Sequence, residues 1–341
     1  MRQIWITKAG RPEVLQLKDA PDPSPGENEV VIDVKSAGIN FADIMARLGV
    51  YQDAPDLPCV VGYEVAGVVE SVGSKVTRLK MGDSVCALTR FGGYSTKIVV
   101  AESQAYPIPS GWSFEEASAM PVNYLTAYQL LVVMGSIRNG SSVLIHGAGG
   151  GVGTAATQIA KLYDATIYGT SSKKKHDYIR SNGVHHAIDY RNEDFVERIN
   201  ELTEDRGVEI VLDAIGGKHF SRSYDALRST GRLLMYGMSS MAQSKRKSLW
   251  NALKAVVKLP LFKFYPVRLI NENKGVLGVN IGHLWHERDL VTGWMQELIV
   301  WAEEGKIRPV VDTTFSFEEA PKAHHYIQDR KNLGKVCLVP E

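Results

Sequence analysis

The sequence predicts an α/β protein with a β-rich first part and a doubly wound parallel sheet after it. Up to about residue 100, short strand-like segments are separated by frequent turn signals. After residue 113, strands alternate with helices. Parallel strands need crossover helices that cover both faces of the sheet, so this alternation indicates a parallel sheet. With about 150 residues per domain as a guide, 341 residues are enough for two domains.

In the first part, residues 30–34 alternate in the manner of a strand, and residues 65–73 are typical of a strand that ends in a glycine turn. The whole predicts an antiparallel unit with one short helix after Asn40. In that helix Asn40 is the expected N-cap, Asp43 its N3 partner, and Arg47 the ion-pair partner of Asp43 one turn later.

In the second part, residues 113–131 carry the spacing of one helix, with Ser113 as the expected N-cap and Glu115 and Glu116 in an acidic first turn. The strands and helices that should follow alternate along the chain. Strands are predicted at 142–146, 166–169, 187–189, 209–213, 232–236 and 276–280, and helices at about 151–161 and 174–182.

Charge and cysteine content exclude several classes of protein. The 39 basic and 38 acidic side chains leave a net charge of +1, which argues against a surface that grips nucleic acid throughout. Cys59, Cys86 and Cys337 are far apart and form no CxxC pair, so neither a disulfide framework nor a four-cysteine zinc lobe is expected. The first apolar run is broken at Thr7-Lys8, and no run of about 18 apolar residues occurs. The expected location is the cytoplasm.

The sharpest motif is a glycine-rich turn between an apolar strand and a helix. It reads Gly147-Ala148-Gly149-Gly150-Gly151-Val152-Gly153. Ala148 stands at the first glycine position of G-x-G-x-x-G, with Gly150 and Gly153 at the others. Such a turn lets a pyrophosphate approach the backbone, and the helix start offers its free N–H groups to the anion. We predict that Gly147, Gly150, Gly151, Val152 and Gly153 bind a dinucleotide. The alternative is a strand-turn-helix packed closely on its glycines.

The next strand predicts which dinucleotide binds. An NAD site has an acid about 20 residues on, for the ribose 2′-hydroxyl. Residues 168–175 contain no acid and end in three lysines, which oppose the dipole of the following helix unless an anion binds among them. The 2′-phosphate of NADPH is the natural anion, with Ser171 and Ser172 as hydroxyl donors. The alternative is a solvated lysine run.

The chain resembles the medium-chain dehydrogenase/reductase superfamily, in its zinc-free quinone oxidoreductase branch. Within that branch it is similar to homologues of the synaptic vesicle membrane protein of the amine-transport type. The residues that carry the resemblance, besides the glycine turn, form short motifs at 37–43, 62–67, 122–127 and 332–336, with 45–47 and 186–190 pointing to the subgroup.

This resemblance implies a GroES-like catalytic domain, made of residues 1–123 and 281–341, into which a Rossmann domain of residues 124–280 is inserted. It also implies that Lys175 and Tyr190 flank the 2′-phosphate and that Thr126 lies near the nicotinamide. Alternatively, Tyr190 is a ring packed at a strand end, and Thr126 a helix hydroxyl bonded to its own backbone. Asn332 and Lys335, in the last motif, are assigned to the cofactor as well.

The family's zinc enzymes carry Cys where this chain has Asn40 and His where it has Tyr63. An amide and a phenol are poor replacements for these ligands, so we expect no metal. Without a Lewis acid, oxidation of an alcohol is disfavoured, and reduction of a quinone or an α,β-unsaturated carbonyl fits better.

Asn40, Asp43 and Tyr51 are the catalytic candidates. For Asn40 and Asp43 the alternative, which is compatible with catalysis, is helix capping. For Tyr51 it is an exposed loop aromatic.

One segment remains open to two interpretations. Between residues 226 and 271 there is no acid, and 245–268 combines seven basic residues with apolar ones, including helical spacing at 248–259. This composition is typical of a membrane-surface element. The alternative is an apolar face that covers the substrate cleft or the seam of a homodimer. The alternative function is accordingly a cofactor-occupied protein of low turnover that binds lipid or a partner at membrane surfaces.

Overall fold

The computed structural model describes residues 1–240 and 265–340. Two compact units make up the chain. Unit 1 contains Met1–Leu125 and Ile281–Glu341, and unit 2 contains Thr126–Asn280. The predicted helix at 248–259, and all of the basic segment 245–268 except its last four residues, lie outside the described residues.

The described residues of unit 1 form ten strands. In chain order they are β1 (Arg2–Ile6), β2 (Leu15–Asp19), β3 (Glu29–Gly38), β4 (Cys59–Val60), β5 (Glu64–Val72), β6 (Ser84–Leu88), β7 (Lys97–Ala101), β8 (Ala105–Pro107), β15 (Val311–Ser316) and β16 (Lys335–Val339). A small sheet has the order β2-β1-β4, and a larger one the order β15-β16-β3-β5-β6-β8, with β7 also paired to β3. The pairs are antiparallel except β15 with β16, which is parallel.

The helices of unit 1 are short apart from one. The α-helices are Phe41–Arg47, Phe114–Ser118, Pro121–Tyr128 (which runs across the division into unit 2), Arg288–Glu303 and Ala320–Gln328, with 3₁₀ turns at Pro12–Val14, Glu102–Gln104, Ile281–His283 and Phe317–Glu319. Alternating side chains of β3 such as Val30, Ile32 and Val34 are buried in one apolar core, to which Phe317 and Leu338 also belong. Burial of this apolar area is what holds the unit together.

Unit 2 has the alternating pattern that its sequence predicts. Its strands are β9 (Ser142–His146), β10 (Thr166–Ser171), β11 (His186–Asp189), β12 (Val208–Asp213), β13 (Leu227–Met235) and β14 (Gly275–Gly278), all paired in parallel in the order β11-β10-β9-β12-β13-β14. Its α-helices are Gly151–Lys161, His176–Asn182, Phe195–Thr203, Lys218–Asp225 and Pro266–Glu272, with a 3₁₀ turn at Lys173–Lys175 and a π-helical segment at Gln129–Met134.

The strand order fixes where a ligand site can form in unit 2. The chain moves outward from β9 to β10 and β11, then returns to the other side of β9 at β12. In open α/β sheets, ligands bind at the carboxyl ends of the strands where the order reverses. Here that point lies between the ends of β9 and β12, which are His146 and Asp213. The fold class predicted from the sequence is confirmed.

The predicted helix at 113–131 is divided in the structure. Ser113 caps its first part, Phe114–Ser118, as expected, because its hydroxyl accepts from the backbone N–H of Glu116. The chain then restarts at Pro121 and continues as the π-helical segment 129–134. Proline has no N–H and is well suited to a first helical position, so a new helix begins there.

Candidate functional sites

The glycine-rich turn connects β9 to the helix Gly151–Lys161. Gly147 has φ +68°, which favours glycine. Gly150 is the N-cap of the helix, and no side chain caps that end. The first N–H groups of a helix have no partner within it, so those of Gly151, Val152 and Gly153 are suited to an anion. The turn therefore has the backbone properties that a pyrophosphate site requires.

Gly153 is needed for packing. A Cβ there would lie 2.4 Å from the carbonyl oxygen of Gly147 and 2.7 Å from the Cα of Ala148. A Cβ on Gly150 would meet the same oxygen at 3.4 Å, an ordinary contact. The close packing at Gly153 supports the interpretation of the glycines as a tightly packed turn. The free N–H groups at the helix start support their interpretation as an anion site.

We expect Gly153→Ala to lower the free energy of unfolding of the nucleotide-free protein by about 1–3 kcal/mol, because the added methyl overpacks a rigid turn. Gly150→Ala is the matched control and should lower it less, because its added Cβ makes only an ordinary contact at 3.4 Å. Urea unfolding of the two variants measures the difference. Equal stability of both would show that the turn does not depend on close packing at Gly153.

Lys175 lies next to this turn. A Cβ built on Gly149 would lie 3.1 Å from the Cδ of Lys175, so the lysine stem passes beside the glycine. Ser171, at the end of β10, is buried and donates to the carbonyl oxygen of Ser172. Tyr190 follows β11 and is 38% exposed, with the Arg191 guanidinium 5.9 Å from its ring centre. The roles of Ser171, Lys175 and Tyr190 toward a 2′-phosphate stay predictions.

Sequence reasoning missed a buried polar chain behind the turn. The Ser223 hydroxyl lies 2.6 Å from a carboxylate oxygen of Asp213 and 3.1 Å from Nε2 of His146. Nδ1 of His146 lies 3.1 Å from the Thr170 hydroxyl, to which the Gly147 N–H donates at 3.4 Å. Because Ser223 donates to the carboxylate, its oxygen accepts from His146 Nε2, and His146 Nδ1 accepts from Thr170. These bonds tie the turn to the ends of β10 and β12.

The charges in this chain of contacts are well defined. Burial lowers the pKa of His146 to about 3, so its ring is neutral. Burial alone would raise the pKa of Asp213, but the hydrogen bond from His219 at 2.7 Å and the neighbouring groups hold it below its ordinary value.

The His146, Asp213 and His219 ligand atoms lie within 4.8 Å of one another. Polar atoms of these three residues also take part in hydrogen bonds with Thr170, with Ser223 and with one another. A signal in the sequence was Asp213, an acid at the end of an apolar strand.

In unit 1, Asn40 lies in a buried ionic cluster. Its Oδ1 accepts from the Lys335 ammonium at 2.7 Å, and its Nδ2 donates to a Glu64 carboxylate oxygen at 2.9 Å. Lys335 and Glu64 also form a direct ion pair, and the second Glu64 oxygen accepts from the backbone N–H of Val122 at 2.7 Å. Lys335 is 3% exposed and Glu64 is fully buried. The amide of Asn40 is therefore used within the unit, and the predicted contact of Lys335 with a cofactor stays a prediction.

Asp43 is fully buried and supports the loop around the short helix Phe41–Arg47. Its oxygens accept from the backbone N–H groups of Asn40 at 2.7 Å and Gly62 at 3.1 Å, and from the Tyr94 hydroxyl at 3.1 Å. The predicted capping role of Asp43 is thus present. Asn40 is the N-cap residue, as predicted, but its side-chain amide bonds Glu64 and Lys335 rather than the helix.

The predicted ion pair of Arg47 with Asp43 is wrong. The guanidinium of Arg47 is buried and donates to His324 Nδ1 at 3.3 Å, to Gln328 Oε1 at 2.6 Å and to the carbonyl oxygen of Gly10. Asp43 is linked to the Arg47 guanidinium through Tyr94 and His324. The Tyr94 hydroxyl donates to Asp43 and lies 3.2 Å from His324 Nε2. Helical spacing placed Arg47 and Asp43 on neighbouring positions, but tertiary partners on the helix Ala320–Gln328 determine where the long side chain goes.

Burial raises the pKa of Asp43 to about 7, against its three hydrogen-bond donors, which lower it. The folded state then keeps a proton that the unfolded chain releases near pH 3.9. Stability contributed by this group is present below the unfolded pKa and is lost as pH rises through the folded pKa. We expect stability to fall between about pH 4 and pH 7 more steeply in the wild type than in Asp43→Asn.

Urea midpoints at pH 4.5, 6 and 8 measure this slope, and the exposed Asp56→Asn is the control that should leave it unchanged. Identical slopes for the wild type and Asp43→Asn would contradict the assignment of the proton to Asp43.

The remaining predicted residues have separate environments. Tyr51 lies at a cavity in unit 1 and is half-buried, with its ring edge-on to Tyr63 at 6.3 Å between centres. Thr126 is buried on the helix Pro121–Tyr128, at the start of unit 2. Asn332 donates from Nδ2 to the carbonyl oxygen of Gly334 at 3.0 Å. Their contacts with cofactor or substrate stay predictions.

The residues at the family's zinc positions do not fit a zinc ion. The Asn40 amide is bonded to an ammonium and a carboxylate, and the Tyr63 ring packs against Phe91 with 5.3 Å between ring centres. Burial raises the pKa of Tyr63 above its ordinary value, which disfavours the phenolate that a metal would need.

Comparison with known proteins identifies the family. The alcohol dehydrogenase GroES-like domain matches residues 26–110, and the family described as zinc-binding dehydrogenase matches residues 182–338. The synaptic vesicle membrane protein VAT-1 homolog of Danio rerio is 40% identical over 328 residues, which are 96% of this chain and 67% of that protein. The chain belongs to the medium-chain dehydrogenase/reductase superfamily. It is therefore an oxidoreductase by family, and the recognition made from sequence motifs is confirmed.

Solved structures of this superfamily have the same fold. The human synaptic vesicle membrane protein VAT-1 homolog-like protein has a TM-score of 0.86 at 32% identity, covering 99% of this chain and 98% of that one. Quinone oxidoreductase of Escherichia coli, complexed with NADPH, has a TM-score of 0.87 at 31% identity and covers 100% of both chains. Across residues 1–240 and 265–340, no helix combines the length and apolar character needed to cross a bilayer.

Proposed function

We propose that the protein is an NADPH-dependent reductase that transfers hydride, without a metal, to a quinone or a related α,β-unsaturated carbonyl. The observation that carries this proposal is the glycine turn with Lys175 beside it, at the point where the strand order of unit 2 reverses. The NADPH complex of the Escherichia coli quinone oxidoreductase, a relative with the same fold, supports it.

In this proposal the backbone of residues 150–153 receives the pyrophosphate, and Lys175 with Ser171 and Tyr190 receives the 2′-phosphate. An ammonium group beside a doubly charged phosphate forms charge-assisted hydrogen bonds, which are about twice as strong as neutral ones. The buried chain from His146 to Asp213 holds the turn in place, so these groups need little reorganisation when the cofactor binds.

The reaction suits a site without a Lewis acid. When bound, the reduced nicotinamide supplies a hydride, and a quinone that takes up this hydride and one proton becomes a hydroquinone. The chain's task is to orient the acceptor and to place a hydrogen-bond donor at the oxygen where negative charge develops. Tyr51 is suited to this role, because burial raises the pKa of its phenol and keeps it protonated at neutral pH.

Oxidation of NADPH, followed at 340 nm with a panel of quinones and enones, tests the proposal. We expect turnover with electron-poor quinones, a marked preference for NADPH over NADH, and full activity after dialysis against a chelator. Failure of every acceptor to oxidise NADPH, or loss of activity with the chelator, would refute it.

A second function is favoured by a separate observation. Tyr265, Val267 and Ile270, on or beside the helix Pro266–Glu272, are 61–72% exposed, and in the sequence they lie in or just after the basic segment 245–268. Exposed apolar side chains next to lysines suit a membrane surface, and several relatives are named as vesicle membrane proteins. In this alternative the protein binds NADPH with little turnover and attaches to anionic lipid.

Flotation with liposomes separates this alternative from the first. Lipid-dependent flotation that requires phosphatidylserine, together with NADPH binding and no turnover, would favour attachment as the function.

We also propose a cytoplasmic homodimer, for which the apolar side chains of Tyr265, Val267 and Ile270 are a candidate seam. Light scattering after gel filtration measures the oligomeric state, and a monomer at micromolar concentration would exclude the dimer.

A further inference from the structure

Four polar side chains of unit 2 meet at the point where the strand order reverses. His146 ends β9 and Asp213 ends β12, and the helix Lys218–Asp225 contributes His219 and Ser223. The last two are four residues apart and therefore lie on one face of that helix. Among the residues that the structure describes, these two histidines and this aspartate are the one group of at least three His, Cys, Asp or Glu whose ligand atoms lie within 4.8 Å of one another.

The distances among these atoms approach those at a tetrahedral metal centre. Zinc lies about 2.0–2.2 Å from nitrogen and oxygen ligands, which places the ligand atoms about 3.3 Å from one another. Asp213 Oδ2 is 2.7 Å from His219 Nδ1. The Ser223 hydroxyl oxygen is 2.6 Å from the same carboxylate oxygen, 3.1 Å from His146 Nε2 and 3.3 Å from His219 Nδ1. Small side-chain movements therefore form a centre with the hydroxyl at its fourth corner.

The atoms of these residues that face away from the centre have partners of their own. Oδ1 of Asp213 accepts from the backbone N–H groups of Ile215 at 2.7 Å and Gly216 at 3.3 Å. His146 Nδ1 lies 3.1 Å from the Thr170 hydroxyl. If the ring proton of His146 moves from Nε2 to Nδ1, Nδ1 donates to this hydroxyl and Nε2 offers its lone pair to a metal. Histidines that bind metals almost always donate their other N–H in this way.

Aromatic rings surround the site. The His219 ring stacks on Phe195 with 4.9 Å between ring centres, and it meets the His146 ring at 80° and 4.3 Å. Phe195 and Asp213 are buried, whereas the His219 side chain is 22% exposed. An apolar shell strengthens the attraction between a carboxylate and a cation. The partial exposure of His219 gives an ion a route to the site.

We propose that His146 Nε2, Asp213 Oδ2 and His219 Nδ1 bind one zinc ion, with the Ser223 hydroxyl at the fourth position. Imidazole and carboxylate donors suit zinc, whereas magnesium and calcium prefer oxygen ligands alone. The ion ties the ends of β9 and β12 to the helix Lys218–Asp225, directly before the glycine turn. The site lies in unit 2, apart from the family's zinc positions in unit 1, and takes no part in the proposed hydride transfer. Zinc bound here would make the expectation of no metal wrong for unit 2.

Competition with a chromophoric zinc chelator measures the affinity of the nucleotide-free, chelator-treated protein. We expect one zinc ion per chain, with a dissociation constant of about 1 µM or below. His219→Asn should weaken binding at least about 100-fold, because the loss of an outer partner alone costs about 10–100-fold. The asparagine amide can still donate to Asp213. His325→Ala is the matched control and should leave the affinity unchanged, since His325 also lies 2.7 Å from a carboxylate, that of Glu13, but is exposed.

Thermal unfolding separates coordination from a structural role of the network. Zinc at 100 times its dissociation constant should raise the Tm of the wild type by at least about 3 °C. The same zinc concentration should leave the Tm of His219→Asn within about 1 °C of its metal-free value. A second measurement needs no variant: Co²⁺ bound to the wild type should show the intense visible absorption of four-coordinate cobalt.

Three results would each overturn the proposal. They are a wild-type zinc affinity in His219→Asn, an equal loss of affinity in His325→Ala, and a Co²⁺ spectrum typical of six-coordinate cobalt in water. The inference goes beyond the proposed reductase and does not depend on it. If zinc binds as expected and no acceptor oxidises NADPH, the zinc site stands and the reductase fails. If quinones oxidise NADPH and no zinc binds, the reductase stands and the zinc site fails.

Discussion

Replacing Lys175 by glutamate is expected to weaken NADPH binding about 100-fold and NADH binding less than about threefold, since each 1.4 kcal/mol is a factor of ten. The substitution removes a charge-assisted bond to the 2′-phosphate and adds repulsion in its place. NADH has a hydroxyl at that position and should be nearly indifferent. The stem of Lys175 passes beside Gly149, so its side chain belongs to the turn.

Lys174→Glu is the matched control for this substitution. Lys174 lies on the same 3₁₀ turn but is exposed, whereas Lys175 is half-buried. If proximity to the turn is what matters, Lys174→Glu should weaken NADPH less than about fivefold at 0.15 M salt, where exposed charges are screened. Fluorescence titration of each reduced nucleotide gives both dissociation constants. Equal losses for NADPH and NADH in Lys175→Glu would show that Lys175 does not read the phosphate.

Local patterns were sufficient to predict the elements around the nucleotide turn. Alternation of strands and helices, the run from Ser142 to His146 and the glycines after it depend on short-range propensity and backbone sterics, which act within a few residues. The same short-range patterns predicted the parallel sheet, and the structure confirms it. The helix predicted at 113–131 was divided at Pro121, a local signal whose effect on the helical pattern was not taken into account.

The polar networks could not be predicted from spacing, because they join residues that are distant in sequence. Asn40 meets Lys335 across 295 positions, and Tyr94 meets His324 across 230. The Arg47–Asp43 ion pair was wrong because a buried guanidinium binds whichever acceptors the tertiary fold supplies. One signal was available: Glu64 stands directly before the apolar residues of β5, where a buried acid requires a cationic partner.

Replacing Lys335 by methionine is expected to lower the free energy of unfolding by about 3–5 kcal/mol, the usual cost of breaking a buried pair by removing one partner. Glu64 would keep its bonds from Asn40 and the Val122 N–H, but its charge would remain in a site that excludes water. Asn40 would lose the donor to its Oδ1. The loss should appear in unit 1, so hydrogen exchange there is the measurement that accompanies urea unfolding.

The double variant Glu64→Gln/Lys335→Met distinguishes loss of charge balance from loss of packing. Gln keeps an oxygen for the Val122 N–H and removes the uncompensated charge, so the double variant should recover more than half of the stability that Lys335→Met loses. Lys75→Met, in an exposed pair with Glu27, is the matched control and should change stability little. A double variant no more stable than Lys335→Met would show that the Lys335 stem contributes by packing. In that case, the charge balance between Lys335 and Glu64 would not be what holds Asn40 in place beside the short helix Phe41–Arg47.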